Sequence, residues 1–142
     1  MSKTQFAQLS DQIEVDPIKH IDPKSLLGHW INSNPDTTSI ARINITESNG
    51  QVQLQVFGVG PDGPIDWGTA GAEVFASSPA SHTAAGFTCT YDFGFAEARF
   101  QGMIMKGLLV LAQFHTFKDD SKRASYFLRE YFAMTHEHFL AK

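Results

Sequence analysis

The spacing of hydrophobic and polar residues changes about 30 residues into the chain. From Trp30 onward, bulky side chains alternate with polar ones at period two, the pattern of β-strands with one buried face. The alternation predicts eight strands, at 29–34, 39–47, 51–59, 67–76, 84–92, 95–105, 108–117 and 123–134. Eight consecutive strands joined mostly by tight turns predict an all-β, antiparallel up-and-down meander. Such a meander loses its exposed edges when it closes into a barrel.

The first 27 residues follow a different pattern. A loose helix is predicted over 4–15, where apolar residues recur at helical spacing. A single helical turn is predicted next, with Asp22 as N-cap, Pro23 at the first helical position and Gly28 at its end. The predicted division is an N-terminal helical segment at 1–27, a β-barrel domain at 28–135 and a tail at 136–142.

The turn at Asn49-Gly50 fixes one register, because two-residue turns of this composition are a strong hairpin signal. Residues that pair across such a hairpin share a face of the sheet. In this register, apolar residues pair with apolar residues across the hairpin, and polar residues pair with polar residues. The predicted inner face comprises Ala41, Ile43, Ile45, Val52, Leu54 and Val56.

The segment 108–117 raises the question of where a site would lie, since Gln113 and His115 share a face with Leu109, Leu111 and Phe117. A turn at Phe93-Gly94 would pair Tyr91 with Ala96, Cys89 with Ala98 and Phe87 with Phe100. A turn at Lys106-Gly107 would pair Phe100 with Gln113 and Ala98 with His115. Because these partners are apolar, Gln113 and His115 are predicted to face the interior.

The opposite face of the same strands is almost wholly apolar: Leu108, Val110, Ala112 and Phe114, beside Met103 and Met105. An exposed apolar surface of this kind is typical of a partner interface. We therefore expect a homodimer that packs through the outer face of strands 95–105 and 108–117.

The last hairpin leaves two alternatives. A turn centred on Asp120-Ser121 turns Tyr126, Leu128, Glu130, Phe132 and Met134 inward. A three-residue loop instead turns Ser125, Phe127, Arg129 and Tyr131 inward. The choice decides whether a carboxylate or a guanidinium enters the barrel.

Composition and charge narrow the class of protein. The chain has 142 residues, 42% of them hydrophobic, which suits one domain with a sizeable core. The formal net charge of -4 and the absence of a basic stripe argue against nucleic acid and anionic membranes as partners. The single cysteine excludes an internal disulfide. With no apparent signal peptide or membrane-spanning run, we expect a cytoplasmic location.

Two short motifs give the chain a resemblance to the calycin group, the lipocalin-like barrels. They are "GHW" at 28–30, which opens the first strand, and "REYF" at 129–132 on the last. The resemblance implies that Trp30 closes one end of the barrel and that Arg129 covers it. The chain departs from secreted lipocalins in lacking a signal peptide and a disulfide pair.

The chain also resembles, in size and in its aromatic-rich predicted barrel, the small cyclases of scytonemin biosynthesis. This resemblance implies an enzyme of secondary metabolism that works without a cofactor. Its substrate would be an indole–phenol β-keto acid, and the reaction a ring closure of the indole onto a ketone with decarboxylation. The alternatives are a non-catalytic carrier of a hydrophobic molecule and a structural dimer whose barrel is filled by its own Phe residues.

General acid–base chemistry defines the candidate site, because His titrates near pH 7 and an inward carboxyl or phenol can exchange a proton. The candidate catalytic residues are His115, Glu130 and Tyr91. The candidate substrate-binding residues are Gln113, Arg129, Trp30, Trp67, Phe87, Phe100 and Phe117. No metal or cofactor is expected, since the pair His136 and His138 has no third ligand near it in sequence.

Overall fold

Eight strands, each hydrogen-bonded to the next along the chain, form a closed antiparallel barrel in which β8 pairs with β1. The computed structural model describes residues 20–136. The strands are β1 (Gly28–Asn32), β2 (Ile40–Ser48), β3 (Gln51–Gly58), β4 (Ile65–Ala76), β5 (Ala84–Asp92), β6 (Ala96–Met105), β7 (Leu108–Phe117) and β8 (Tyr126–Thr135). The predicted fold class is confirmed. The predicted helix over 4–15 lies outside the described residues.

Two hairpins have the predicted registers. Asn49 and Gly50 both have positive φ, at 55° and 80°, as a two-residue turn between twisted strands requires. Lys106 and Gly107 also have positive φ, at 54° and 81°. Phe100 therefore pairs with Gln113, and the interior position of Gln113 is confirmed.

A β-bulge changes the predicted inner face at the start of β2. The register shifts between Ile40 and Arg42, so that Ile40 is buried and Ala41 is only partly so. The prediction that Ala41 belongs to the inner face is wrong, because the bulge inserts one residue and reverses the alternation.

The predicted register of the β5–β6 hairpin is wrong by two residues. Tyr91 pairs with Ala98 and Cys89 with Phe100. The turn is longer than two residues: the Phe93 amide donates to the Ala96 carbonyl at 2.8 Å, and Asp92 accepts from the Gly94 amide. A shift of two residues leaves every side chain on its own face, so the inward direction was still predicted correctly.

The last hairpin takes the first of the two alternatives. Gln113 pairs with Leu128 and His115 with Tyr126, which turns Glu130 inward. Arg129 pairs with Ala112 on the outer face and is exposed. Arg129 therefore cannot hold a ligand inside the barrel, and it does not cover Trp30, whose neighbour on β8 is Met134.

A short 3-10 turn, Lys24–Leu26, lies across one end of the barrel. Leu26 is fully buried, and its carbonyl accepts a hydrogen bond of 2.9 Å from the Trp30 indole. Ser25 donates to the Ala84 carbonyl at 2.6 Å and fixes the turn to β5. Asp22 accepts from the Lys24 amide, although the turn begins one residue later than predicted. Trp30 thus lies at a closed end of the barrel.

The close packing of Phe87 against Gly102 allows the packing of the core to be tested by mutation. A Cβ placed on Gly102 would collide with the ring of Phe87, which is buried and has no room to move. We expect Gly102→Ala to destabilise the protein by about 1–3 kcal/mol, the usual cost of overpacking. Denaturant midpoints at unchanged m-value would measure the loss.

Gly71→Ala is the matched control, because a Cβ there meets no atom within 4 Å and the residue is in a strand as well. It should be neutral or slightly stabilising, since alanine restricts the unfolded chain. Equal losses in the two variants would contradict the packing described here.

Candidate functional site

The end of the barrel opposite Trp30 holds a cavity of about 370 Å³, which we call the upper pocket. Its walls come from the ends of five strands and from the loops between strands. Aromatic rings dominate the lining: Trp67, Phe93, Phe95, Phe117 and Tyr126. Its polar side chains are Thr38, Ser39, Glu97, His115 and Arg123. A pocket with mostly apolar walls and a few placed polar groups is typical of small-molecule sites.

Stacked aromatic residues hold Trp67 in the wall of this pocket. Its indole contacts Tyr91 and Phe93 edge to face, with centroids 5.9 and 5.4 Å apart, and stacks on Phe100 at 6.3 Å. Gly58 allows the indole to lie against the backbone, since a Cβ there would be 2.6 Å from the indole nitrogen. The wall therefore presents aromatic surface to a bound ring.

A network of polar side chains lies next to the pocket inside the barrel. Gln113 is fully buried, and its amide nitrogen donates to Glu130 Oε1 at 2.8 Å. Glu130 Oε2 accepts from Asn32 Nδ2 at 2.9 Å and from the Thr37 hydroxyl at 2.5 Å. Three donors thus converge on one carboxylate, which compensates for its removal from water.

The same network determines the tautomer of His115. An ionised carboxylate only accepts hydrogen bonds, so Gln113 must turn its nitrogen toward Glu130 and its oxygen the other way. That oxygen accepts from the Ser39 hydroxyl at 3.3 Å and lies 3.1 Å from His115 Nε2. Nε2 must then carry the proton, which leaves Nδ1 as the basic nitrogen. Within residues 20–136, Nδ1 has no hydrogen-bond partner.

Burial lowers the pKa of His115 below its ordinary value, and the negative charge of Glu130 partly opposes that shift. The imidazole is accordingly neutral at pH 7. Its ring stacks on Tyr126, with centroids 4.5 Å apart and planes 7° apart. Burial, with a smaller contribution from Glu130, raises the pKa of Tyr126. The pocket therefore presents an uncharged base beside a phenol that stays protonated.

The predicted site residues do not all lie at the upper pocket. His115, Trp67 and Phe117 line the upper pocket, whereas Gln113 and Glu130 form the network beside it. Three others have different surroundings: Phe100 lies beneath Trp67, Trp30 is at the closed end, and Phe87 packs against Gly102.

Tyr91 is better explained as a structural residue than as the predicted acid. Its hydroxyl donates toward the carbonyls of Gly68, at 2.8 Å, and Leu54, at 3.1 Å. Its single proton is thereby engaged by the backbone of β3 and β4. Burial raises its pKa, as it raises that of Cys89 to about 11, so neither group ionises near pH 7.

Sequence reasoning missed several residues of the site. The alternation along β1 could have identified Asn32 as an inward-facing residue, because it follows Trp30 by two positions. Thr37, Ser39 and Arg123 lie between the observed strands. The predicted strands 39–47 and 123–134 began at Ser39 and Arg123, whereas β2 and β8 begin at Ile40 and Tyr126. Phe93 was predicted as a turn residue and Phe95 as the first residue of a strand, and the longer turn instead carries both to the pocket.

Between residues 20 and 136, no three His, Cys, Asp or Glu side chains lie close enough together to bind a metal ion. His138, one of the two histidines considered above, lies outside this range. In the same part of the chain, no helix has the length and apolar character needed to cross a membrane.

Comparison of the chain with models of protein families, with curated proteins and with solved structures found no match. The molecule is an eight-stranded antiparallel barrel, closed at one end and with a pocket at the other, and this architecture is consistent with a calycin-like fold. The cavity argues against a barrel filled entirely by its own Phe residues.

The influence of Glu130 on His115 can be measured by NMR titration of the imidazole. Glu130→Gln removes a negative charge that raises the pKa of His115, so that pKa should fall further below 6.5. Glu97→Gln, at another part of the pocket lining, should leave it unchanged. A higher pKa of His115 in Glu130→Gln would show that the carboxylate acts in the opposite sense to the one described.

Proposed function

We propose that the chain is a cofactor-independent enzyme that uses general acid–base catalysis on an aromatic small molecule bound in the upper pocket. One observation carries the proposal: the hydrogen bond from His115 Nε2 to Gln113 leaves Nδ1 unprotonated at a cavity walled by aromatic rings. A neutral imidazole with a defined basic nitrogen is the group most suited to removing a proton near pH 7.

The network beside His115 supports its role as the base. When Nδ1 takes a proton, the imidazolium keeps its hydrogen bond to the Gln113 oxygen. The negative charge of Glu130 lies on the far side of the same amide and stabilises the new positive charge. Tyr126, stacked on His115, is placed to donate a proton to an oxygen of the ligand.

Ring closure of an indole–phenol β-keto acid is the reaction that we propose within this class. A ring carbon of the indole would bond to the ketone carbon, the ketone oxygen would take a proton, and His115 would accept the proton lost from the ring. The carboxylate would then leave as carbon dioxide, its bonding electron pair forming a carbon–carbon double bond as the new hydroxyl, protonated by His115, departs as water. The support is the flat aromatic lining and the single neutral base, together with the resemblance stated above.

Product formation from such a keto acid, followed by mass-resolved chromatography, tests the proposal. His115→Ala should lower the rate by about 10²-fold or more, the usual contribution of a general base. His82→Ala is the matched control, because it makes the same change at an exposed residue outside the pocket lining. Turnover equal to that of heat-denatured protein would refute the cyclase, and wild-type turnover in His115→Ala would remove that residue from the mechanism.

A carrier of a hydrophobic molecule is the second candidate, and the extent of aromatic lining favours it. Trp67 lies in the pocket wall and Trp30 at the closed end, so the two indoles report on different regions. A ligand should quench the fluorescence of the wild type and lose most of that effect in Trp67→Phe. Quenching without turnover would support the carrier, and quenching that persists in Trp67→Phe would place the ligand elsewhere.

We also propose that the chain forms a homodimer through the outer face of β6, β7 and β8. On this face, Met103 and Tyr131 are 46% and 45% exposed, and Val110 between them is only 7% exposed although it points outward. A two-fold axis over β7 would set the methionines of β6 against the aromatic side chains of β8 in the other copy. Sulfur–aromatic contacts between the two copies would stabilise this pairing.

Light scattering of a Met103→Lys variant tests this interface. We expect a monomer, because a lysine within an apolar contact leaves an ammonium without water or a partner. Gln53→Lys, an equal charge change on the outer face of β3, should remain dimeric. A wild-type protein that is already monomeric, or a dimeric Met103→Lys, would rule the interface out.

A further inference from the structure

Arg123 lies at the mouth of the upper pocket, in the loop before β8, and was not among the residues that the sequence suggested. Its guanidinium lies over the ring of Phe117, 4.1 Å from the centroid, and 5.7 Å from that of Phe95. Both rings line the pocket. A planar cation is thus held against an aromatic wall, which stabilises it.

Two contacts fix the orientation of this guanidinium. Nε donates to the Ser121 hydroxyl at 2.8 Å, and Nη2 donates to Asp119 Oδ2 at 3.1 Å. Ser121 donates in turn to the other oxygen of Asp119 at 2.6 Å. One edge of the guanidinium is therefore anchored to its own loop, so the cation is positioned before any ligand arrives.

The second edge of the guanidinium, formed by Nη1 and the remaining hydrogen of Nη2, has no partner within the described part of the chain. Two parallel N–H groups at this spacing match the two oxygens of a carboxylate. Of the described residues that line the pocket, Arg123 alone carries a permanent positive charge. The acidic residue in the lining, Glu97, lies 3.9 Å from Arg99.

We infer that the ligand of the upper pocket is an aromatic carboxylate, held by the free edge of Arg123 with its ring system directed inward toward Trp67. The inference rests on the proposed small-molecule function and deepens it by naming the residue that would hold the carboxylate and the orientation of the ring system. Arg123 is a specificity-determining residue in this account. The ring would bind through the aromatic wall, and the carboxylate would add affinity and direction.

A matched pair of probes separates the contribution of the carboxylate from that of the ring. Indole-3-acetate and indole-3-acetamide have the same ring and nearly the same shape, and they differ in charge. Calorimetry at low ionic strength should show the acid binding to the wild type about 10-fold or more tightly than the amide. In Arg123→Gln the two probes should bind equally, because only the acid loses its partner.

Two further variants test whether the effect belongs to Arg123 itself. Arg123→Lys should restore part of the preference for the acid, since it keeps the charge and loses the bidentate geometry. Arg99→Gln, which removes a positive charge outside the pocket lining, should keep the full preference. An equal loss of affinity for both probes in Arg123→Gln would show a merely structural role and overturn the inference.

The outcomes also distinguish this inference from the proposed function. Equal binding of the acid and the amide to the wild type would overturn the proposed carboxylate contact. It would not count against the aromatic pocket as a small-molecule site. Binding of neither probe would overturn the inference and count against the small-molecule function as well. The role of His115 as a base is measured separately by turnover, which neither probe requires.

Discussion

The 2.8 Å hydrogen bond between Gln113 and Glu130 inside the barrel determines the chemistry available at the upper pocket. An amide has one donor end and one acceptor end, so a carboxylate at the donor end dictates what the acceptor end presents. The acceptor end meets His115 and Ser39. One buried interaction thereby sets the tautomer of an imidazole, and through it the basic nitrogen that a ligand meets.

A carboxylate inside a barrel imposes demands on the surrounding fold, because an unpaired buried charge is strongly destabilising. Asn32 on β1, Thr37 in the following loop and Gln113 on β7 supply the donors that Glu130 on β8 requires. Those elements flank the seam where β8 pairs with β1 and closes the sheet. The polar network thus joins barrel closure to the site, and the aromatic layer around Trp67 completes the pocket on the other side.

The parts of the structure that could be predicted are those that two-residue periodicity controls. Gln113 and His115 were placed on the inner face even though the β5–β6 register was wrong, because a slip of two residues preserves parity. Glu130 stayed ambiguous until the loop length before β8 was known. Ser39 and Arg123 were assigned to the first positions of predicted strands but lie in loops, where tertiary contacts rather than alternation set the direction of a side chain.

Long-range ¹H–¹⁵N NMR correlation of the His115 imidazole near neutral pH measures its tautomer directly. The ring should show a protonated Nε2 and an unprotonated Nδ1 in the wild type, since Gln113 accepts from Nε2. His115→Gln identifies the signal by its loss. A protonated Nδ1 would mean that the Gln113–Glu130 pair does not set the base, and the account of the site would be contradicted.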